Sequence, residues 1–513
     1  MKRIYIYIIM CSLLATSLQA QDGFGSYLRN IIQSQEKGIL VTAKLIEACG
    51  LCDSLDILMD YEYERLYQQG WTIPTTYDAH DGYPYYTFYT PEHRYYGYTL
   101  FAETDDFWEA ALGKSYKAIT VADVASYILQ QCHFTKQYSN DEAYSNPENV
   151  IYQFTTYHML NRRLSAQHLV EHVNEKDFKS NSKLGVAVCE YYTTMGDRRL
   201  LRAFESAESN GVCLNRFPIL DNGRRGTYHE LSCDPEKTGI PVDVSKAIST
   251  DIPNAVIYPI DQLLVFDEVT ADNMGKIRLR MDVASFFPEM ATNDIRLSKK
   301  TDERHKNVYL PCNIYPYLDD LITNNTETAF CYFTGVGNGW QNMQGDEFSC
   351  RGRQDVTLRL PPVPTKNIYE LRMAILTNSA RSIFQLFFGT DPNNLRPLGM
   401  PIDFSQPSNA FGWEMDIDDD YYNQMLDNNL HEIGYMKGCN QYCAGPPSTS
   451  TMMRNSSNCL RRILGTQMMD PNQTYYLRLK NLLDSNMKQL SLDYIEFCPR
   501  EVYDNPNEPE DIW

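Results

Sequence analysis

Apolar positions recur at helical spacing through the first part of the chain and at strand spacing through the last part. Leu28, Ile31 and Ile32, then Leu40, Leu45 and Ile46, follow one face of a helix and predict helical structure over 24–58. The stretch 98–112 changes period midway. Tyr98 to Phe101 is β-prone, with Thr99 and Phe101 on one side. Thr104 then stands at an N-cap position, with Asp105, Asp106 and Glu109 where carboxylates complement the exposed N–H groups of a helix start. Phe107, Trp108, Ala111 and Leu112 form the stripe that presses such a helix onto a core. Helical patterns follow at 121–129 and 150–160, Val186 to Tyr192 alternates as a strand, and 251–266 returns to strand.

After about Thr270 the texture changes. Strand patterns occur at 276–283, 355–360, 368–376, 382–388, 475–479 and 489–497, separated by turns rich in Gly, Pro and Asn. The chain therefore reads as multidomain, an α+β unit over 24–270 followed by an all-β sandwich over 273–503. Two insertions interrupt the first unit. The Tyr-rich stretch 59–97, with Trp71, Pro74, Pro84 and Pro91, reads as irregular, either a functional flap or packing for another domain. The second, 220–245, is rich in Gly, Asp, Arg and Pro. Residues 403–466 lack strand periodicity and read as a long excursion, and the acidic segment 504–513 reads as a loose tail.

Three stretches resemble, in order, the signatures of the fasciclin-like (FAS1) domain. Thr99, Phe101, Ala102, Thr104 and Asp105 stand where the family's Thr-Val-Phe-Ala-Pro-Thr-Asp strand and turn has them, with Glu103 in place of Pro and Trp108 in place of Phe. Thr155 to Ser165, which contains Tyr157 and His158, resembles its Tyr-His box. Asn254 to Leu264 resembles its closing strand pair, with Tyr258 in place of His. The resemblance implies a wedge of helices on a short-stranded sheet that binds or adheres. Animal members use the Tyr-His box in adhesion, whereas the residue chemistry alone reads His158 as a hydrogen-bonded core side chain. The run from Tyr475 to Pro499 resembles the last strands of galactose-binding-like jelly rolls, which implies carbohydrate binding. The pairing resembles exported fasciclin-like proteins of gut Bacteroidota. That implies a glycan or envelope protein as partner, with an outer-membrane glycan transporter as a further one.

Composition sharpens this picture in a few places. Residues 1–20 read as a secretory signal, Lys2 and Arg3 preceding an apolar run and Leu18-Gln-Ala20 forming the cleavage site. Cys11 offers a lipoprotein alternative that the larger Met10 before it disfavours. No other stretch is long and apolar enough to span a bilayer, so the expected place is the cell envelope or the exterior. Without Lys2 and Arg3, 44 basic residues face 66 acidic ones, a formal charge of −22 that repels phosphate backbones and argues against nucleic acid. The 37 tyrosines suit a surface that engages sugars or partners. Thirteen of the 14 cysteines follow the signal; Cys439 and Cys443, with Cys459, are the disulfide candidates, while Cys189 and Cys498 read as core.

Each chemical motif carries two readings. Asp416, Asp418 and Asp420, beside Trp413, could hold a structural calcium ion or form a solvated acidic loop. Trp340 and Trp413 lie in Gly-rich loops, as sugar-stacking platforms or as loop anchors. His168-Leu-Val-Glu-His172 has zinc-binding spacing but falls in an ordinary helix of the resembled family. Cys49-Gly-Leu-Cys52 has redox spacing without the strand that a thioredoxin-like site needs before it. No spacing singles out a catalytic group. The expectation is a non-catalytic binding protein, the alternative a carbohydrate hydrolase with a carboxylate pair in the second unit.

Overall fold

A computed structural model describes residues 23–70, 89–171, 188–205, 211–219, 239–296, 307–312, 315–334, 343–377, 379–439, 453–483, 488–508 and 510. Signal residues 1–20, Trp71, Trp340, His172 and Cys443 lie outside these, as do most of 220–245 and positions 71–88 of the Tyr-rich stretch. The protein combines helices with many sheets and is multidomain in character, largely β in its second half.

In the first half, strands β1 (Tyr98–Glu103), β2 (Met159–Leu160), β3 (Val188–Thr193), β4 (Leu200–Glu205), β5 (Val212–Leu214), β6 (Ile240–Val242) and β7 (Ala255–Ile260) build two sheets. The first runs β2-β1-β7, with β1 parallel to β7 and Thr99 beside Val256; the second runs β3-β4-β5-β6. Alternation along β1 decides what each face buries. Leu100 and Ala102 pack with Phe24, Leu28 and Ile46 of the leading helices Phe24–Ser34 and Leu40–Ala48. Phe101 turns the other way, onto Tyr157 and Tyr258. The helix Asp105–Leu112 follows at once, and Trp108 is buried against Val41, Leu45 and Phe154.

The second half holds β8 (Leu279–Asp282), β9 (Asn307–Leu310), β10 (Leu321–Thr323), β11 (Thr328–Thr334), β12 (Asp346–Gly352), β13 (Asp355–Arg359), β14 (Asn367–Leu376), β15 (Ile383–Gly389), β16 (Arg396–Pro397), β17 (Ile402–Asp403), β18 (Tyr435–Lys437), β19 (Cys459–Met469), β20 (Tyr476–Asn481), β21 (Leu490–Leu492) and β22 (Tyr494–Pro499). They form three sheets, β21-β12-β11-β9, β18-β19-β14-β22-β8 and β10-β13-β20-β15-β16, with β17 also on β15. Their pairings are antiparallel, and the inward side chains share one core. Tyr63, Tyr191 and Leu200 of the first half belong to that same core, so the halves meet across continuous apolar packing.

Four boundaries differ from the sequence reading. Within 59–97, Tyr61–Gln68 is a regular helix capped by Asp60, which accepts from the N–H groups of Glu62 and Tyr63; its aromatic composition hid the helical period. Within 403–466, Asp420–Glu432 is helical and Cys459–Met469 is a long strand paired along β14. Helix Glu268–Met274 straddles the proposed division near 270. The tail is anchored at Glu510, which lies on Arg372, whose Nη2 donates to it at 2.9 Å; residues 509 and 511–513 lie outside the described residues. Among the described residues no helix is long and apolar enough to cross a membrane.

Candidate functional site

The residues singled out in the first half hold the fold together. Thr104 Oγ1 accepts the Phe107 N–H at 3.2 Å and caps its own helix. Asp105 is fully buried and caps a different one: its carboxylate accepts from the N–H groups of Gly38, Leu40 and Val41 at 2.7, 3.0 and 2.9 Å, at the start of helix Leu40–Ala48. Glu103, where the resembled family has Pro, bonds His158 Nε2 at 2.7 Å and accepts the Leu264 N–H at 3.0 Å. His158 Nδ1 lies 2.7 Å from the Phe154 carbonyl. The Tyr157 hydroxyl donates to the Leu200 carbonyl at 3.1 Å. Tyr157 and His158 are both buried.

In the acidic loop of the second half, Asp416 is committed to neighbouring cations. Asp416 accepts from Lys437 Nζ at 2.7 Å and from Arg454 Nε at 2.6 Å. Burial pulls its carboxyl upward, but the bonds from Arg454 and Lys437 outweigh that and hold it below the usual carboxylate range. Asp418 and Asp420 are exposed, and Asp420 begins helix Asp420–Glu432. Among the described residues no group of three or more His, Cys, Asp or Glu is placed to hold a metal. Trp413 is half-buried and packs against the core of the second half, an anchor for its loop. His168 is occupied by Glu171 Oε1 at 2.6 Å. Cys49 and Cys52 are buried free thiols, and burial pushes Cys49 up to about 12.

What the sequence did not nominate is a cleft at the seam between the halves. Residues 89–95, from the Tyr-rich stretch, form one wall; 292–295 and Val308 form the other, around about 240 Å³. Buried Arg94 anchors the first wall. It pairs with Asp60, Glu289 and Asp319, and its Nε donates to the Tyr317 carbonyl at 2.9 Å. Burial alone would lower the Arg94 pKa; the surrounding carboxylates, led by Glu289 and Asp319, more than reverse it. With Arg94 turned inward, Tyr89, His93 and Tyr95 line the cleft. Their rings are positioned from several sides. The Tyr95 N–H donates to Asn293 Oδ1 at 2.8 Å, the Tyr309 N–H to the Tyr89 carbonyl at 2.8 Å, and His93 Nδ1 lies 2.6 Å from Glu64. The His93 and Tyr95 rings are 5.3 Å apart, and Tyr95 is 40% exposed. Glu92, Asn293 and Asp294 add polar groups, and Asp294 holds a left-handed φ of 53°. The sequence signal was the tyrosine density; the residues opposite, 292–295, carried none.

No family model and no curated relative matches the chain. Among solved structures, a Paenibacillus xanthan lyase aligns at 12% identity over 37% of this chain and 13% of its own length, with a TM-score of 0.20. The K2 cleaved adhesin domain of Lys-gingipain aligns at 10% identity over 36% of this chain and 87% of its own, with a TM-score of 0.18. The chain thus spans about an eighth of the lyase's length, and likenesses this slight say nothing of what it binds or does.

Proposed function

We propose that this chain is a non-catalytic, exported carbohydrate-binding protein, with a FAS1-like first unit and a jelly-roll sandwich as the second. The observation that carries the binding role is the seam cleft. Tyr89, His93 and Tyr95 line it together with Asn293 and Asp294. Sugar rings stack their C–H faces on aromatics while their hydroxyls take amide and carboxylate partners, and this wall offers both. The FAS1-like reading is supported by the meeting of its three motif stretches in one sheet, β2-β1-β7, with β1 and β7 side by side in parallel. Binding in the envelope, beside a glycan transporter, is the setting this reading gives it.

The test pairs a glycan array with a reducing-sugar assay on the same preparation. Binding without release of reducing ends is the expected result, and Tyr95→Ala should weaken the best array ligand about tenfold, the loss of one stacking partner. Release of reducing ends by purified protein, or a Tyr95→Ala variant that binds as well as the parent, overturns the proposal.

A further inference from the structure

A second cleft, away from the aromatic one, is organised around one cation that the described residues leave unanswered. The loop 194–199 joins β3 to β4 and is pinned on both sides. Its Asp197 N–H donates to Gln153 Oε1 at 3.2 Å, while Arg199 donates to the Pro471 carbonyl at 2.8 Å and to Asn472 Oδ1 at 2.9 Å. Gly196, at φ 70°, presses so closely on Thr156 that a Cβ would lie 2.2 Å from its Oγ1. Arg198 between them is held at φ 55°, a left-handed conformation that disfavours a non-glycine residue. Strain of this kind persists where the surroundings over-determine it, and it gathers at ligand sites.

The pinned loop delivers the Arg198 side chain into a cleft of about 230 Å³, lined also by Lys136, Pro362, Pro471, Gln473 and Thr474. Arg198 is half-buried and makes no hydrogen bond or ion pair with any described residue. The charges near it are already committed. Asp197 accepts from Tyr138 at 3.3 Å and from Arg199 at 3.5 Å, and lies 3.7 Å from Lys136. Lys136 is paired with Glu148 at 2.9 Å, and Arg359 with Asp320 at 3.3 Å. Burial, with Arg359 nearby, pushes the Arg198 pKa down to about 10. A guanidinium with five donors in a planar fork, partly stripped of water and bonded to no described carboxylate, is matched to a carboxylate from outside.

We propose that this cleft is a binding site for a sugar acid, with Arg198 pairing the ligand's carboxylate and Gln473 and Thr474 meeting the ring hydroxyls. The volume falls below the roughly 300–1,000 Å³ usual for small-molecule pockets and suits a single ring. The overall charge of −20 repels densely charged polyanions, which leaves an isolated carboxylate on an otherwise neutral glycan as the fitting group. The site shares no residue with the Tyr89–Tyr95 cleft and does not depend on it.

Calorimetric titration with a disaccharide ending in glucuronate, its neutral glucose counterpart and acetate tests this directly. The parent protein should bind the acidic disaccharide about tenfold or more above the neutral one, with affinity falling as salt rises. Arg198→Gly removes the guanidinium and suits the left-handed backbone, so it folds at least as well and should lose that preference. Arg198→Lys should keep part of it. Equal affinity for the acidic and neutral disaccharides, or an unchanged preference in Arg198→Gly, overturns the proposal. Acetate that binds as tightly as the acidic disaccharide overturns the sugar assignment. Loss of acidic binding in Arg198→Gly with Tyr95-dependent binding intact separates this site from the aromatic cleft.

Discussion

Adjacent residues Thr104 and Asp105 show how one polar pair organises two helices. Thr104 satisfies a donor on the helix it begins, a local task that water could partly take over. Asp105 is fully buried and reaches across to three N–H groups of another helix start, of which those of Leu40 and Val41 are buried. The two substitutions should therefore differ sharply. Thr104→Ala should cost about 1 kcal/mol, the usual worth of a cap. Asp105→Ala leaves the buried Leu40 and Val41 donors without an acceptor and should cost about 3 kcal/mol or more. Urea unfolding of the two variants beside the parent measures both, and equal losses would mean that Asp105 does not hold helix Leu40–Ala48. Glu103 and His158 follow the same logic: Glu103 Oε1 and both ring nitrogens of His158 are spent on backbone or on each other.

At the scale of elements, what the sequence disclosed depended on whether burial followed a simple period. β1, the helix after it and β7 were legible because their apolar positions alternate or repeat without interruption. Strand Cys459–Met469 was not, because Arg461 and Arg462 break the alternation and Gly465 sits where the register against β14 shifts. Arg461 is nonetheless buried, since Glu496 on β22 lies 3.3 Å away. Of the seam cleft only the tyrosines were readable; pairing 89–95 with 292–295 needs long-range contacts that no local pattern encodes. The tail was misread for a related reason, because acidic composition suggests solvent unless a basic face waits for it. Arg278, Arg372 and Arg461 supply that face, and Arg372 holds the Glu510 carboxyl down to about 2 against the opposing pull of burial. A lowered carboxyl stabilises the fold above its ordinary value of 4.5 and loses that contribution as pH falls towards 2. Glu510→Gln should thus cost up to about 3 kcal/mol at pH 7 and little at pH 2, read as the gap between the two unfolding curves.

Across the whole molecule, one cluster of buried charge lies where the halves meet. Arg94 ties the Tyr-rich stretch to Glu289 and Asp319, and Arg296 joins Glu190 of β3 at 2.9 Å to Asp282 of β8 at 3.1 Å. Around Arg296 lie Glu171, Glu190, Asp282 and Asp346, all buried, with Asp493 beside Asp282 and Asp346 and with Arg162 near Glu190. Burial pushes Glu190 up to about 7 in spite of Arg296, and Asp282, Asp346 and Asp493 are raised in the same direction. The sign is opposite to that of Glu510. An acid whose folded value exceeds its unfolded one takes up a proton on folding, so its contribution is greatest below 4.5 and declines as pH climbs to 7. For Glu190 that decline is on the order of 3 kcal/mol. The junction should loosen as pH rises from 5 to 7.5, and E190Q, uncharged throughout, should loosen less. Thermal unfolding of both proteins across that range reads the difference directly: the variant gains on the parent towards pH 7.5. Parallel curves would mean that Arg296 keeps Glu190 ionised, and that the halves are joined by an ordinary ion pair.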